Sequence, residues 1–300
     1  MQRSVRLFHV DAFTDRRFTG NPVSVVLDAE RLDEAALTAL ARELGHGDSA
    51  FVLPADGTDH DLVVRFFNPK GESGFIGHAT LAVHTVLATL GLPPRPRQKQ
   101  RTGIVEVQTV PAAAGPPRIS IRQAAPALKR PVGGAQLAPV LAALPLAPTD
   151  LDPRFPPMIA GDASTRLLLG VRDAATLARM QPDAARLAAL SADLGAAGYF
   201  LFTTRTPLAG VTTESRMFCP AIGIAEDPVS GNAHGMLGAY LLRYGALKPQ
   251  GDTATFTGAQ GASVGRPGIV HVTLELQERT LRAVHIAGTA VVVYEAHVPV

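Results

Sequence analysis

Arg65-Phe-Phe-Asn-Pro69 followed by Gly77-His-Ala-Thr-Leu-Ala82, and Arg216-Met-Phe-Cys-Pro220 followed by Gly231-Asn-Ala-His-Gly-Met236, are the two stretches on which the fold turns. Each joins an R-x-F-x-P strand pattern to a glycine-started apolar segment, and each segment closes on a glycine fourteen positions on, Gly91 and Gly245. Internal similarity of this kind marks a duplicated structural unit. Two copies of one unit is the simplest account.

Between Ala79 and Leu90 the only polar positions are Thr80, His84, Thr85 and Thr89, so a helix there is apolar almost all round and has to be enclosed. Its mate is small-sided at Ala233, Gly235, Gly238 and Ala239, which lets surrounding strands come close. A helix wrapped by a curved sheet satisfies both. The first turn of each helix leaves backbone N–H groups that carry partial positive charge. Gly77 and Gly231 permit close approach to them, so each start is a candidate cradle for a carboxylate or phosphate. A glycine opening a helix is also a common N-cap, and it is the duplication that favours the cradle. Two cradles facing each other across a domain cleft would hold a small anion.

Outward from these segments, the first block predicts strand 5–13, turn 18–22, strand 23–27, a helix over 33–44, strand 50–53, turn 54–57, strand 62–67 and short strands at 104–110 and 118–121. Eight prolines between Pro126 and Pro157 predict an irregular inter-domain stretch with one short helix near 137–144. The second block predicts strand 166–171, helix 182–194 and strands 199–203 and 215–218 ahead of the segment 231–244. The expected domains are therefore 1–126 and 127–287, with a last strand at about 288–300 that can return to the first domain.

Three hundred residues suit two domains, and 46% hydrophobic with 18% charged residues exclude a disordered chain. Lys+Arg 28 against Asp+Glu 26 leaves +2, with no basic run interleaved with aromatics, so nucleic acid is not an expected partner. The opening residues break before an apolar signal region forms and no window approaches ~20 apolar residues, which predicts a cytoplasmic protein without a membrane partner. The one cysteine, Cys219, forbids an internal disulfide and any Cys-rich metal site. Nine histidines show no ligand spacing, so no catalytic metal is expected, and the common nucleotide and hydrolase motifs are missing.

Three side chains draw attention. In Gly223-Ile-Ala-Glu-Asp-Pro-Val-Ser-Gly-Asn232, Asp227 reads either as an N-cap before Pro228, or, with Ser230 as the cap, as a carboxylate held just outside a helix start. Asp48 lies between the predicted helix 33–44 and strand 50–53, where an aspartate is ordinarily a turn residue. His78 is second in the first buried segment, near a positive helix end that disfavours imidazolium, so it is expected to stay neutral; alone it reads equally as a core histidine.

Val10-Asp-Ala-Phe-Thr14 with Phe18-Thr-Gly-Asn-Pro22, Phe75-Ile-Gly-His-Ala-Thr-Leu-Ala82 and Gly223 to Gly235 together resemble the phenazine-biosynthesis PhzF-like isomerase family, in order and spacing, from about residue 5 to 295. The resemblance implies a diaminopimelate epimerase-like α+β fold: two pseudo-symmetric domains, each a barrel-like, mostly antiparallel sheet wrapped around a central helix, with the active site between them. It also implies a homodimer. The family's acid/base glutamate begins an E-[ST]-x-F-V loop; the matching stretch here is Asp48-Ser-Ala-Phe-Val52, so an aspartate stands where the family has glutamate. His78 and Asp227 match family positions, and Asn232 stands where serine is usual. Ile76 and Ser230 precede the helix-opening glycines where related racemases carry thiols, so a two-thiol mechanism is excluded. The expectation is a cofactor-independent isomerase that moves a proton between carbons of a small carboxylate-bearing amino or hydroxy acid. Asp48, His78 and Asp227 would be catalytic, and Gly77, Gly231, Asn232 and Asn21 would bind substrate. The alternative is a non-catalytic or vestigial binder of small acids.

Overall fold

The computed structural model describes residues 4–45, 47–69 and 71–300. The chain divides into two compact units, Met1–Gln123 with Ala287–Val300, and Ala124–Ile286. In the first unit, strand Ser4–Ala12 lies antiparallel between Ala290–Pro299 and Asn21–Leu27. Asn21–Leu27 is parallel to Ser49–Pro54, which is antiparallel to Leu62–Asn68. Leu62–Asn68 is in turn parallel to Arg97–Gln100, from which Gly103–Val110 and Arg118–Ala124 continue antiparallel. Parallel neighbours need a long crossover. Helix Glu34–Glu43 supplies the first and helix Gly77–Thr89 the second.

The second unit repeats this order. Leu128–Pro131, Met158–Ala160 and Arg166–Gly170 are successively antiparallel, and Arg166–Gly170 is parallel to Tyr199–Thr203 across helices Ala174–Arg179 and Ala184–Leu194. Tyr199–Thr203 is antiparallel to Thr213–Cys219, which is parallel to Thr253–Gln260 across helix Gly231–Arg243 and is followed by Gly268–Gln277. The fold is α+β, as the periodicities indicated.

The two crossovers of each unit are built differently because their sequences are. The outer helices are amphipathic: Asp33 caps one by accepting from the Ala36 N–H at 2.8 Å, and Asp183 caps the other by accepting from the Arg186 N–H at 3.0 Å. Each turns a leucine stripe inward, led by Leu37 and Leu187. The central helices have no polar stripe. Ala79 to Leu87 are all buried, enclosed by Ser4–Ala12, Asn21–Leu27, Ser49–Pro54 and Ala290–Pro299. Both central helices end the same way, with Gly91 and Gly245 left-handed at φ 68° and 71°. Leu92 donates to the Leu87 carbonyl at 3.0 Å and Ala246 to that of Leu241 at 2.9 Å, the six-to-one bond that glycine at this position allows.

The repeated arginine also has a physical role. Arg65 lies over Phe67 at 5.1 Å and donates twice to Glu72 and twice to Glu34, tying the outer helix to the sheet. Arg216 lies over Phe218 at 5.0 Å and grips Glu226 bidentately at 2.9 and 2.8 Å. Such planar two-point pairing is what arginine, unlike lysine, provides.

Residues 126–157 are only partly irregular: the expected short helix is present, and the stretch belongs to the second unit rather than lying between the two. Leu128–Pro131 joins the second unit's sheet and helix Gly134–Ala143 packs Val140, Leu141 and Ala143 into its core, with Pro139 accommodated inside the helix. Most of the prolines stand at element ends or between elements, and burial of the apolar residues around Pro139 outweighs the backbone bond lost there.

Register places Leu62 against Gln98 and Thr213 against Gly258, each three residues before its repeat arginine. In the first unit Gln98 reaches across to Thr80 of the central helix, its Nε2 donating to the hydroxyl at 3.1 Å. In the second, His234 occupies the position of Thr80, and a Cβ on Gly258 would strike its ring. Bulk has moved from strand to helix between the copies. Gly258→Ala is therefore expected to destabilise the fold by about 1–3 kcal/mol in urea unfolding. Adding His234→Thr, which removes the ring that the new methyl strikes, leaves the double variant more stable than the sum of the single losses.

Candidate active site

Each unit presents its own set of groups at the start of its central helix. In the first, Asp48 immediately precedes strand Ser49–Pro54, and its carbonyl oxygen accepts from the Ser24 N–H at 3.4 Å. Strand alternation turns Phe51 outward, into the cluster under helix Glu34–Glu43, and so directs Asp48 to the opposite, central-helix face. By the same alternation Asn21, first in strand Asn21–Leu27 and buried, shares the face of Val23 and Val25, opposite Val26. His78 is the second residue of helix Gly77–Thr89. Its Nε2 lies 3.5 Å from Asp48 Oδ2, and the two side chains retain 13% and 20% exposure, enough for both to meet a ligand. The first-turn N–H groups have no partner inside the helix, and Ile76, the N-cap, supplies no side-chain acceptor.

Burial pushes the His78 imidazole down to about 4, so it is neutral near pH 7. Desolvation of the ring is the cause, where the sequence pointed to the helix end. A neutral imidazole next to a carboxylate can orient it without adding a positive charge of its own.

In the second unit Ser230 is the N-cap of helix Gly231–Arg243, its Oγ accepting from the Ala233 N–H at 3.3 Å. That decides between the two readings of Asp227: it ends strand Ile224–Asp227, outside the helix, and its Oδ1 accepts from the Val229 N–H at 3.2 Å. The arginine clamp acts on the adjacent residue, Glu226. Gly231 is buried and Asn232 half-buried in the first turn, Asn232 at the position that His78 holds in the other copy.

The copies are not chemically equivalent. Phe51 registers with Arg65 and Leu201 with Arg216, so Asp48 corresponds to Gly198, where a Cβ would collide with Cys219 Sγ. One unit contributes a carboxylate where the other has none. Cys219 itself is buried, and its thiol is pushed up to about 11 by desolvation, so it is not a nucleophile. Among the described residues no group of three or more His, Cys, Asp or Glu is placed to hold a metal ion, and no helix is long and apolar enough to cross a membrane.

A family described as phenazine biosynthesis-like protein (PhzC-PhzF) matches residues 10–296. The chain belongs to the PhzF family. It is 36% identical over 292 residues to the uncharacterized isomerase YddE of Escherichia coli K12, with 97% of each chain covered. It is 28% identical over 288 residues to the trans-2,3-dihydro-3-hydroxyanthranilate isomerase of Pseudomonas fluorescens, covering 94% of this chain and 95% of that one. The crystal structure of a Bacillus anthracis PhzF-family protein superposes with a TM-score of 0.90 at 28% identity, over 99% of this chain and 100% of that one. The fold is diaminopimelate epimerase-like, as the resemblance implied, and the protein is an enzyme whose curated relatives YddE and the hydroxyanthranilate protein are named isomerases.

Gln260 is absent from the residues that the sequence singled out. Its side chain holds the Asp227 loop and is equivalent, by the register above, to Gln100 of the first unit. Extending the repeat one strand further, to Gln98-Lys-Gln100 against Gly258-Ala-Gln260, would have found it.

The central helices carry three histidines, His84 and His234 buried and His78 half-buried, each pushed by desolvation from about 6.5 to about 4. A depressed histidine pKa means that the unfolded chain binds the proton first. The resulting stability is complete above pH 6.5 and is lost as pH falls towards 4, by about 1.4 kcal/mol per pH unit for each ring. Unfolding free energies between pH 7 and 5 are expected to fall accordingly, with ¹⁵N spectra showing no titration of His78 above pH 5. A His78 midpoint near 6.5 would contradict the burial argument.

Proposed function

We propose that the protein is a cofactor-independent isomerase that moves a proton between two carbons of a small, carboxylate-bearing amino or hydroxy acid. The observation that carries this reading is the Asp48 carboxylate 3.5 Å from a neutral His78 at the start of an enclosed helix. Family membership supports it, and so does the relative that isomerises trans-2,3-dihydro-3-hydroxyanthranilate.

In this mechanism Asp48 removes a carbon-bound proton as general base. The electron pair left behind is delocalised toward the substrate carboxylate or an adjacent double bond, and Asp48 returns the proton to a second carbon as general acid. His78 orients the Asp48 carboxyl through both states. The N–H groups opening the helices at Gly77 and Gly231 stabilise negative charge on the substrate, a preorganised contribution that is often the largest in such catalysis. Asp227, Asn232 and Asn21 fix the orientation of the amino or hydroxy group. The substrate is a soluble metabolite, the compartment the cytoplasm and the working form a homodimer, with neither nucleic acid nor membrane as partner.

The departure from the family pattern supports a second reading. Aspartate is one methylene shorter than glutamate, about 1.5 Å, and a misplacement of about 1 Å can cost ~100-fold in rate. A vestigial binder of small acids would have this property.

Incubating the protein in D₂O with a panel of cyclic and unsaturated amino and hydroxy acids, trans-2,3-dihydro-3-hydroxyanthranilate included, separates the two. Carbon-bound deuterium is expected for at least one compound, abolished in Asp48→Asn with binding retained. Asp227→Asn is expected to lower turnover by roughly 10–100-fold, and the double variant to lose no more than Asp48→Asn alone. Binding without any exchange across the panel counts against the isomerase reading and for the vestigial binder.

A further inference from the structure

Two consecutive residues at the end of strand Thr253–Gln260 shape the loop that carries Asp227. Gln260 is 3% exposed. Its Nε2 donates to the Asp227 carbonyl oxygen at 2.6 Å, and its Oε1 accepts from the Ser230 N–H at 3.1 Å. One planar amide therefore holds the Asp227-Pro-Val-Ser230 segment at both ends. Gly261 follows at φ +92°, where a Cβ would meet the Pro228 carbonyl oxygen at 2.7 Å and that of Arg266 as well, so only glycine lets the two chains pass. Inside the segment Pro228 has no N–H to satisfy, and that of Val229 is taken by Asp227 Oδ1. With Ser230 bonded to Gln260, every N–H between Asp227 and the helix start is accounted for.

Comparison within the molecule shows that this arrangement is not a requirement of the fold. Gln100 holds the equivalent strand position in the first unit and is also buried, but its side chain bonds Gln98 and Thr102. The glutamine is turned onto the helix-start loop only in the copy whose loop carries a carboxylate.

We propose that Gln260 is a positioning residue: its carboxamide sets where Asp227 and the N–H groups of Gly231 and Asn232 stand, and Gly261 provides the space in which the loop is held. This rests on the reading that Asp227 and that helix start contact the substrate.

The clamp needs a donor and an acceptor from the same group. Methionine at 260 keeps the volume and has neither. Glutamate can imitate the amide only while protonated, its O–H donating to the Asp227 carbonyl and its C=O accepting from Ser230. Once ionised it turns an acceptor against an acceptor. The variants Gln260→Met and Gln260→Glu thus differ in pH dependence, which a merely structural role would not produce.

The experiment measures kcat/KM from pH 5 to 8.5 on a panel compound that exchanges, together with hydrogen exchange of the Ser230 amide in the ligand-free protein. Gln260→Met is expected to lose roughly 10–100-fold at every pH with its Tm within a few degrees of the parent. Gln260→Glu is expected to approach the parent at pH 5 and to fall toward the methionine variant as pH rises, because burial holds its carboxyl above the usual ~4.3. The Ser230 amide is expected to be protected in the parent and in Gln260→Glu at pH 5, and to exchange freely in Gln260→Met. A methionine variant within twofold of the parent, or a glutamate variant whose profile runs parallel to the parent's, overturns the proposal. If the methionine variant does not fold, the glutamate profile decides. If no panel compound exchanges, the isomerase reading fails by itself, and Ser230 protection that ignores residue 260 then overturns the clamp independently.

Discussion

A helix without a polar face cannot lie on a surface, and the rest of this structure follows from that constraint. Enclosing Ala79 to Leu87 takes strands on several sides, which in turn requires a curved sheet and parallel pairs joined by long crossovers. The enclosed helix brings its own first turn inside with it. Backbone N–H groups without a partner inside the helix are left there with partial positive charge, the setting in which helix starts favour small anions.

The duplication shows which features belong to the fold and which to the chemistry. Capped outer helices, arginines stacked on the phenylalanine two positions on, and left-handed glycines that close the central helices occur in both units. Asp48 against Gly198, His78 against Asn232, and Thr80 with Gln98 against His234 with Gly258 do not match. The shared set maintains a sheet around a helix. The divergent set is concentrated at the helix starts and along the neighbouring strand, where one carboxylate, one neutral imidazole and one loop-holding glutamine make the two copies chemically different.

Much of this was legible in the residues. Glycine-to-glycine spacing marked both central helices, and the aspartates before two leucine stripes marked the outer ones, because capping and amphipathic periodicity are local properties. The stretch from Pro126 to Pro157 misled in part: its short helix was legible, but proline density speaks of backbone freedom and is silent on whether Val140 and Leu141 find a core to enter. Asp227 stayed ambiguous for a similar reason: Asp227 and Ser230 are both good caps, and the choice depends on where strand Ile224–Asp227 delivers the chain. Gln260 was overlooked because a lone glutamine has no local signature; what it does depends on a loop more than thirty residues earlier.

The sequence by itself determined the duplication, the enclosure of two helices, the chemical types available at their starts and the family to which the chain belongs, all consequences of composition and spacing along one dimension. Only the tertiary structure decided that Asp48 faces His78, that burial rather than the helix end keeps that imidazole neutral, and that Gln260 holds the Asp227 loop. Each of these depends on register between strands distant in sequence and on removal of groups from water, and neither quantity exists until the chain has folded.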